Sequence, residues 1–312
     1  MDYIQLPNTK LKASRLAMGC MRINRLTVNE LERLINEALE LGINFFDHAD
    51  IYGRGECERL FGQVLQRTPS LRFKMILQDK CDIVPEWAGG KRFDTSRKHI
   101  IKSVLDSLSR LCTDHLDILL LHRADPLCDP QELAETFADL KREGLVRYFG
   151  VSNYRPQKIS LLQRYCKDPL IINQVQLSVL HCPSIDAEVC FNVCGDDMAV
   201  DREGGLIDYC RLHDITLQPW CPLQGSAWRE GTFIDNPKYA RLNAVLGRIA
   251  AERGVSKAAV AIAWLLRHPA RMQPILGTTS IEHLRENCKA VEVSLSRQEW
   301  LDLYTAEGKV MP

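Results

Sequence analysis

The sequence predicts an α/β chain folded as a (β/α)8 barrel, the TIM-barrel architecture, with an N-terminal β-hairpin and long loops at the carboxyl ends of the strands. Three observations predict it. Strand-like and helix-like segments alternate from about residue 15 to residue 290, the pattern of parallel βα units. Eight of those segments read as strands. The side chains able to do chemistry fall where the strands end, which is where barrels of this kind keep their active sites. The 312 residues suit one large barrel or two ordinary domains. No linker, repeat or low-complexity stretch interrupts them, so residues 1–312 are read as a single domain.

The elements follow in order. Tyr3 to Leu6 and Lys10 to Lys12 flank Pro7, Asn8 and Thr9, so a short hairpin is expected to plug the barrel bottom. Leu16 to Met18 is the first barrel strand. Thr27 and Glu30 form a capping box ahead of the apolar stripe Leu31, Leu34, Ile35, Ala38 and Leu39, and Gly42 stands where a left-handed stop is wanted. The other strands are expected at Ile43 to Phe46, Phe73 to Leu77, Leu116 to Leu121, Val146 to Val151, Ile171 to Val175, Ile215 to Gln218 and Gln273 to Leu276. Helices between them include Ser96 to Leu111, Gln131 to Arg142 behind a first-turn Pro130, and an apolar one after Ser256. Three connections, from Cys81 to Phe93, from Ser178 to about Glu203 and from Cys221 to Asp235, exceed what a barrel needs. Segments of that length are lids and binding loops or tolerated surface insertions.

Composition narrows the function classes. Forty Lys plus Arg balance forty Asp plus Glu, leaving no global field to draw nucleic acid or an anionic membrane. No apolar run reaches the ~18 residues of a membrane span, and MDYIQLPNTK has neither a signal-peptide nor a lipidation pattern. A cytoplasmic location is expected. Twelve cysteines spread through so long a chain read as reduced thiols. Cys190 and Cys194, near His181 and Cys182, lack the paired two-residue spacing of a structural zinc site.

Four residues concentrate the chemistry: Asp47 and Tyr52 in FFDHADIYG, Lys80 in MILQDK and His122 in LDILLLHRAD. A phenol with an ordinary pKa of about 10 gives up its proton at neutral pH only if a cation stabilises the phenolate. Lys80 could supply that cation, and Asp47 is the countercharge that would keep a buried lysine protonated. His122 would orient a substrate oxygen. Taken singly, Asp47 and Lys80 also suit a structural ion pair, Tyr52 a rim tyrosine, and His122 a satisfied core histidine. A metal held by His48, Asp50 and His122 is disfavoured, because Asp47 and His48 point to opposite sides of an extended strand; no metal is expected.

The quartet, together with MGC (Met18 to Cys20), GINFFDHADIYG, LLLHR, VRYFGVSN, NQVQ, PWCPL and PILGTTSIEHLREN in that order, resembles the aldo-keto reductases along nearly the whole chain. FIDNPKY and the ending GKVMP bring the likeness closest to a mostly uncharacterised bacterial subgroup of oxidoreductases. The resemblance implies reversible hydride transfer between a nicotinamide cofactor and a small-molecule aldehyde or ketone. Asp47, Tyr52, Lys80 and His122 would be the catalytic tetrad, with Tyr52 as general acid. A cofactor-binding sensor with little turnover is the alternative that the family permits. No substrate is implied, although Trp87, Phe93 and Trp228 in the long loops could wall a pocket. A monomer or small homo-oligomer is expected.

No G-x-G-x-x-G turn is present, since Gly53 and Gly55 are followed by Glu58 and open no phosphate turn. By resemblance, Ser152, Asn153 and Gln174 would hold the nicotinamide carboxamide and Trp220 would stack on its ring, with Pro222 and Leu223 beside it. Gly277, Thr278, Thr279, His283, Glu286 and Asn287 would form the phosphate-binding end, at the start of a helix near Thr279 or Ser280. Many NADPH-dependent members carry lysine where Gly277 stands and arginine where His283 stands, and Arg285 could compensate in part. NADP(H) is favoured on family habit and NAD(H) is possible.

Overall fold

The computed structural model describes residues 1–193, 195–225 and 230–312. In chain order its strands are β1 (Tyr3–Gln5), β2 (Lys12–Ser14), β3 (Ala17–Gly19), β4 (Phe45–Asp47), β5 (Ile76–Cys81), β6 (Ile83–Val84), β7 (Arg92–Phe93), β8 (Leu116–Leu121), β9 (Val146–Ser152), β10 (Leu170–Gln176), β11 (Thr216–Trp220) and β12 (Ile275–Leu276). The α-helices are α1 (Val28–Glu40), α2 (Glu56–Arg67), α3 (Arg97–Leu111), α4 (Pro130–Arg142), α5 (Pro156–Gln163), α6 (Pro183–Val189), α7 (Leu206–Leu212), α8 (Ala240–Arg253), α9 (Lys257–Arg267), α10 (Ile281–Cys288) and α11 (Arg297–Thr305).

Among the described residues eight strands form one parallel sheet in the order β11-β10-β9-β8-β5-β4-β3-β12. The ends of that sheet meet where the Gln273 N–H donates to the Leu217 carbonyl at 2.9 Å, so the barrel is nearly closed. The antiparallel hairpin β1-β2 lies across its floor. Ile4, Leu6 and Ala13 of that segment pack with Phe45, Ile76, Ile118, Leu120 and Ile172 into an inner core. Residues one position along, Phe46, Leu77, Leu119 and Leu121, belong instead to the larger core between strands and helices. This period of two is the pleat at work, and it decides which polar side chains enter the barrel further up.

Several expectations needed correction. The strand expected from Phe73 begins only at Ile76, because Pro69–Lys74 winds into a 3-10 turn with proline in its first turn and leaves Phe73 91% exposed. Strand β4 runs later than Ile43 to Phe46 and reaches Asp47. Two of the long connections carry structure of their own: β6 and β7 pair as a short hairpin, and α6 sits between Ser178 and Glu203. Part of the third connection, including Trp228, lies outside the described residues. The first helix is as expected, with Thr27 and Glu30 in a reciprocal capping box and Gly42 at φ +86°.

Candidate active site

Strand β4 ends on Asp47 and the chain turns at once through Tyr52, the first residue of a 3-10 turn. Alternation along β5 sends Gln78 and Lys80 into the barrel and Asp79 outward. The Lys80 Nζ therefore meets Asp47 Oδ1 at 2.5 Å and the His48 carbonyl at 2.6 Å, with both charged side chains buried. Asp47 Oδ1 also accepts from Gln78 Nε2 at 2.6 Å and Gln174 Nε2 at 2.9 Å. Below this pair lies a chain of glutamines. Gln78 and Gln174 both donate to Gln218 Oε1, Gln218 to Gln273, and Gln273 to the Ser14 carbonyl. A buried ion pair is kept by hydrogen bonds to its remaining lone pairs and protons, and this layer supplies two of them to Asp47 Oδ1.

Tyr52 stands over the pair, with Lys80 Nζ 5.1 Å from its ring centre. Its ring meets the His122 imidazole edge-on at 6.0 Å between centroids. Burial, then the charges of Asp47 and Asp79, hold the Tyr52 phenol well above its ordinary pKa, so it keeps its proton across the neutral range. Burial, then Lys80 and Arg123, push His122 well below the ordinary imidazole range. The ring is neutral, and its buried Nδ1 has no partner among the described residues.

His48 turns away from the barrel, as strand alternation demands, and packs edge-on against Phe61 with ring centroids 4.6 Å apart. Burial and Lys80 lower its pKa to about 3. Asp79 also points outward, to a pocket shared with Asp50, Glu58 and Arg110. Arg110 pairs with Glu58 at 2.7 Å. Burial, then Glu58, raises Asp79 well above the carboxylate range and brings Asp50 to about 7. One oxygen of each of these three carboxyls lacks a partner when all are ionised. A proton held by Asp79 bridges it to Glu58 and removes the deficit for that pair, leaving the Asp50 oxygen.

At the ends of β9 to β11, Ser152 Oγ donates to the Gln174 carbonyl at 2.7 Å. Asn153, at φ +60°, donates from Nδ2 to Ser152 Oγ and to the His122 carbonyl, and accepts from Trp220 Nε1 at 3.1 Å. Left-handed geometry suits asparagine better than most side chains, and here it ties the ends of β8, β9 and β11 together. Gln174 is committed to Asp47 and Gln218 through its NH₂, so its amide group reaches the site from below. Pro222 is buried, and Leu223, half-buried, accepts from the Phe233 N–H.

Across the barrel, β12 runs out through an exposed Gly277 into Thr278 and Thr279. Ser280 caps α10 by accepting from the His283 N–H, its carbonyl accepts from Thr278 Oγ1 at 3.4 Å, and its own N–H donates to Thr278 Oγ1 at 3.1 Å. His283 is exposed, Glu286 half-buried and Asn287 buried. Arg285 is turned to Glu37, which accepts from its Nε and its Nη2, each at 2.7 Å. The cation at this end is one that sequence spacing could not reveal. Arg22, 255 residues away in sequence, reaches across to the Gly277 carbonyl at 3.3 Å, and a Cβ at position 277 would sit 3.2 Å from its Nη1. The glycine thus leaves room that the guanidinium occupies. Trp87 and Phe93 are largely exposed, and Trp87 stacks under Arg54 at 5.9 Å. The cysteines among the described residues are free thiols; Cys194 lies outside them.

A nearly closed parallel barrel whose carboxyl end gathers a buried lysine–aspartate pair, a protonated tyrosine and a neutral histidine is the architecture of a barrel oxidoreductase. Residues 15–306 match the model of the aldo/keto reductase family, and the chain belongs to that family of enzymes. It is 36% identical to the uncharacterized oxidoreductase YcsN of Bacillus subtilis over 98% of both chains. It is 37% identical to the 6-dehydroglucose reductase of Agrobacterium fabrum over 96% of both, and 35% identical to the oxidoreductase YdhF of Escherichia coli over 94% of this chain and 93% of that one. The crystal structure of the thermostable aldo-keto reductase Tm1743, in complex with the inhibitor epalrestat, superposes with a TM-score of 0.77 at 26% identity, covering 98% of this chain and all of that one. No helix among the described residues is long and apolar enough to cross a membrane.

Proposed function

We propose that this protein, as one catalytic unit over residues 1–312, reduces an aldehyde or ketone to an alcohol with a nicotinamide cofactor, NADP(H) in preference to NAD(H). The observation that carries the reading is the meeting of Tyr52 and His122 over the Lys80–Asp47 pair. Tyr52 donates its proton to the carbonyl oxygen. The phenolate left behind is tolerated because Lys80 is the nearest cation, held charged by Asp47. His122, neutral, donates a hydrogen bond that orients the same oxygen without competing as an acid. In the reverse direction the phenolate is the base.

The cofactor, when bound, supplies the hydride. The residues present fit it. Ser152, Asn153 and Gln174, whose donors are engaged within the protein, would present oxygen acceptors to a carboxamide NH₂, and Trp220 a ring face. Gly277, Thr278 and Thr279 offer an open backbone at the start of α10, with Arg22 lying over it. Preference for NADP(H) rests on Arg22 supplying the charge that Gly277 and His283 lack.

The test is Tyr52→Phe. Turnover with a carbonyl panel is expected to fall by ~10²-fold or more, while cofactor affinity stays within a few fold. Near wild-type turnover by the purified variant would remove Tyr52 from the mechanism.

A further inference from the structure

Beside the reacting pair, the ends of β8 to β11 and the connection before α7 enclose a cavity of about 500 Å³, within the range that holds a small molecule. Arg123, Asn153, Arg155, Arg202 and Trp220 are among the residues lining it. It opens next to the chemistry: Arg123 directly follows His122, feels the charge state of Tyr52 and depresses the His122 pKa.

Its charge balance is one-sided. The Arg123 guanidinium is half-buried, and among the described residues it makes no side-chain hydrogen bond or salt bridge; the buried Asp82 acts on it at longer range, and both Asp82 oxygens accept from the Arg123 backbone N–H at 3.2 and 3.1 Å. Asp125, the next carboxylate, is consumed by Thr95 and the Leu127 N–H. Arg155 is exposed, and among the described residues its side chain makes no capping bond to α5. Arg202 is turned to the Asp197 and Val200 carbonyls, neutral acceptors that leave its charge uncancelled. Against these three cations the lining offers Glu203, which is bonded to Ser184, and His181, which burial keeps below its ordinary pKa. A guanidinium drawn partly out of water with no carboxylate in contact is costly, and an acidic ligand is the group that would offset the cost.

We infer that this cavity is an acid-recognising subsite, and that the carbonyl substrate carries a carboxylate gripped by Arg123, with Arg155 at the rim. The inference rests on the carbonyl-reductase reading and names the substrate class for it. Guanidinium and carboxylate are matched in planarity and in donor and acceptor count, so the carboxylate is read as a paired, oriented group, and the carbonyl end is delivered to Tyr52 and His122.

The test uses two aldehydes of one shape, 4-carboxybenzaldehyde and 4-formylbenzamide, and their alcohols. Wild type should favour the acid over the amide by about tenfold to a hundredfold in kcat/KM, the range of one charge-assisted contact. The preference should shrink with rising salt. Arg123→Gln should bring the ratio close to one, and Arg123→Lys should retain an intermediate value. Arg155→Gln, at an exposed position where folding is not at risk, should lower it several-fold. Calorimetric titration with the two alcohols reads the subsite independently of turnover. Acid-selective binding that Arg123→Gln abolishes, with neither aldehyde reduced, upholds the subsite and overturns the reductase reading. Equal treatment of acid and amide by wild type, with both aldehydes reduced, overturns the subsite and leaves the reductase reading standing. An acid preference undiminished in Arg123→Gln and Arg155→Gln likewise overturns it.

Discussion

Replacing Asp47 by Asn removes one charge from the most deeply buried ion pair of the barrel while leaving its shape. At the 2.5 Å separation of Lys80 Nζ and Asp47 Oδ1, the attraction at an effective dielectric of about 20 is about 6 to 7 kcal/mol. Desolvation of both groups already offsets much of this in the native protein, so the net loss is smaller. Stranding a buried ammonium among neutral acceptors costs about 3 to 5 kcal/mol. For a chain of this length, that lowers the melting temperature by about 5 to 8 °C. The glutamine donors to Asp47 keep an acceptor in the Asn carbonyl, so the deficit reports the charge and not the hydrogen bonds. If the stranded Lys80 sheds its proton, the unfolded state binds more protons than the native one, and the variant regains stability as pH rises toward about 10.4. The double variant Asp47→Asn with Lys80→Met removes both charges and should recover most of the loss. Chemical and thermal denaturation of the three proteins between pH 6 and pH 10 measures each quantity. A single variant within about 1 kcal/mol of wild type, or a double variant no more stable than the single, would refute the reasoning.

Two other outcomes follow from side chains around that pair. Burial and Glu58 raise the Asp50 pKa to about 7 from 3.8, so between those values the native state binds a proton that the unfolded state has released. The stability this contributes is full below about pH 4 and is lost as pH rises through about 7, to an extent of no more than about 4 kcal/mol. Asp50→Asn should flatten the descent in urea titrations from pH 4.5 to 8, and parallel wild-type and variant profiles would contradict it. Arg22→Ala should weaken binding of NADPH by several-fold to about a hundredfold, read by quenching of tryptophan emission. An unchanged dissociation constant would show that the guanidinium over Gly277 faces no cofactor phosphate.

What the chain declares by itself is local. Strand alternation is a property of consecutive residues, so the inward Asp47 and outward His48 could be read from FFDH, and the capped first helix from Thr27, Glu30 and Gly42. The positions of Tyr52, Lys80, His122 and Asn153 near strand ends are equally legible, because a parallel barrel delivers all such ends to one face. Tertiary structure decided what meets what there. Gln78, Gln174 and Gln218 come from three strands and Gln273 from the segment leading into β12, and only barrel closure makes them the layer that supports Asp47. Asp79, a neighbour of Lys80 in sequence, is sent by the same pleat to Glu58 on α2. Arg285 stood in the right segment for a phosphate and is consumed by Glu37, whereas Arg22, far away in sequence, covers Gly277. Long side chains choose partners by distance in space, and a buried or half-buried charge takes its meaning from whichever opposite charge the fold brings within reach. That distance is set by how the sheet closes and the helices pack, which no stretch of consecutive residues encodes.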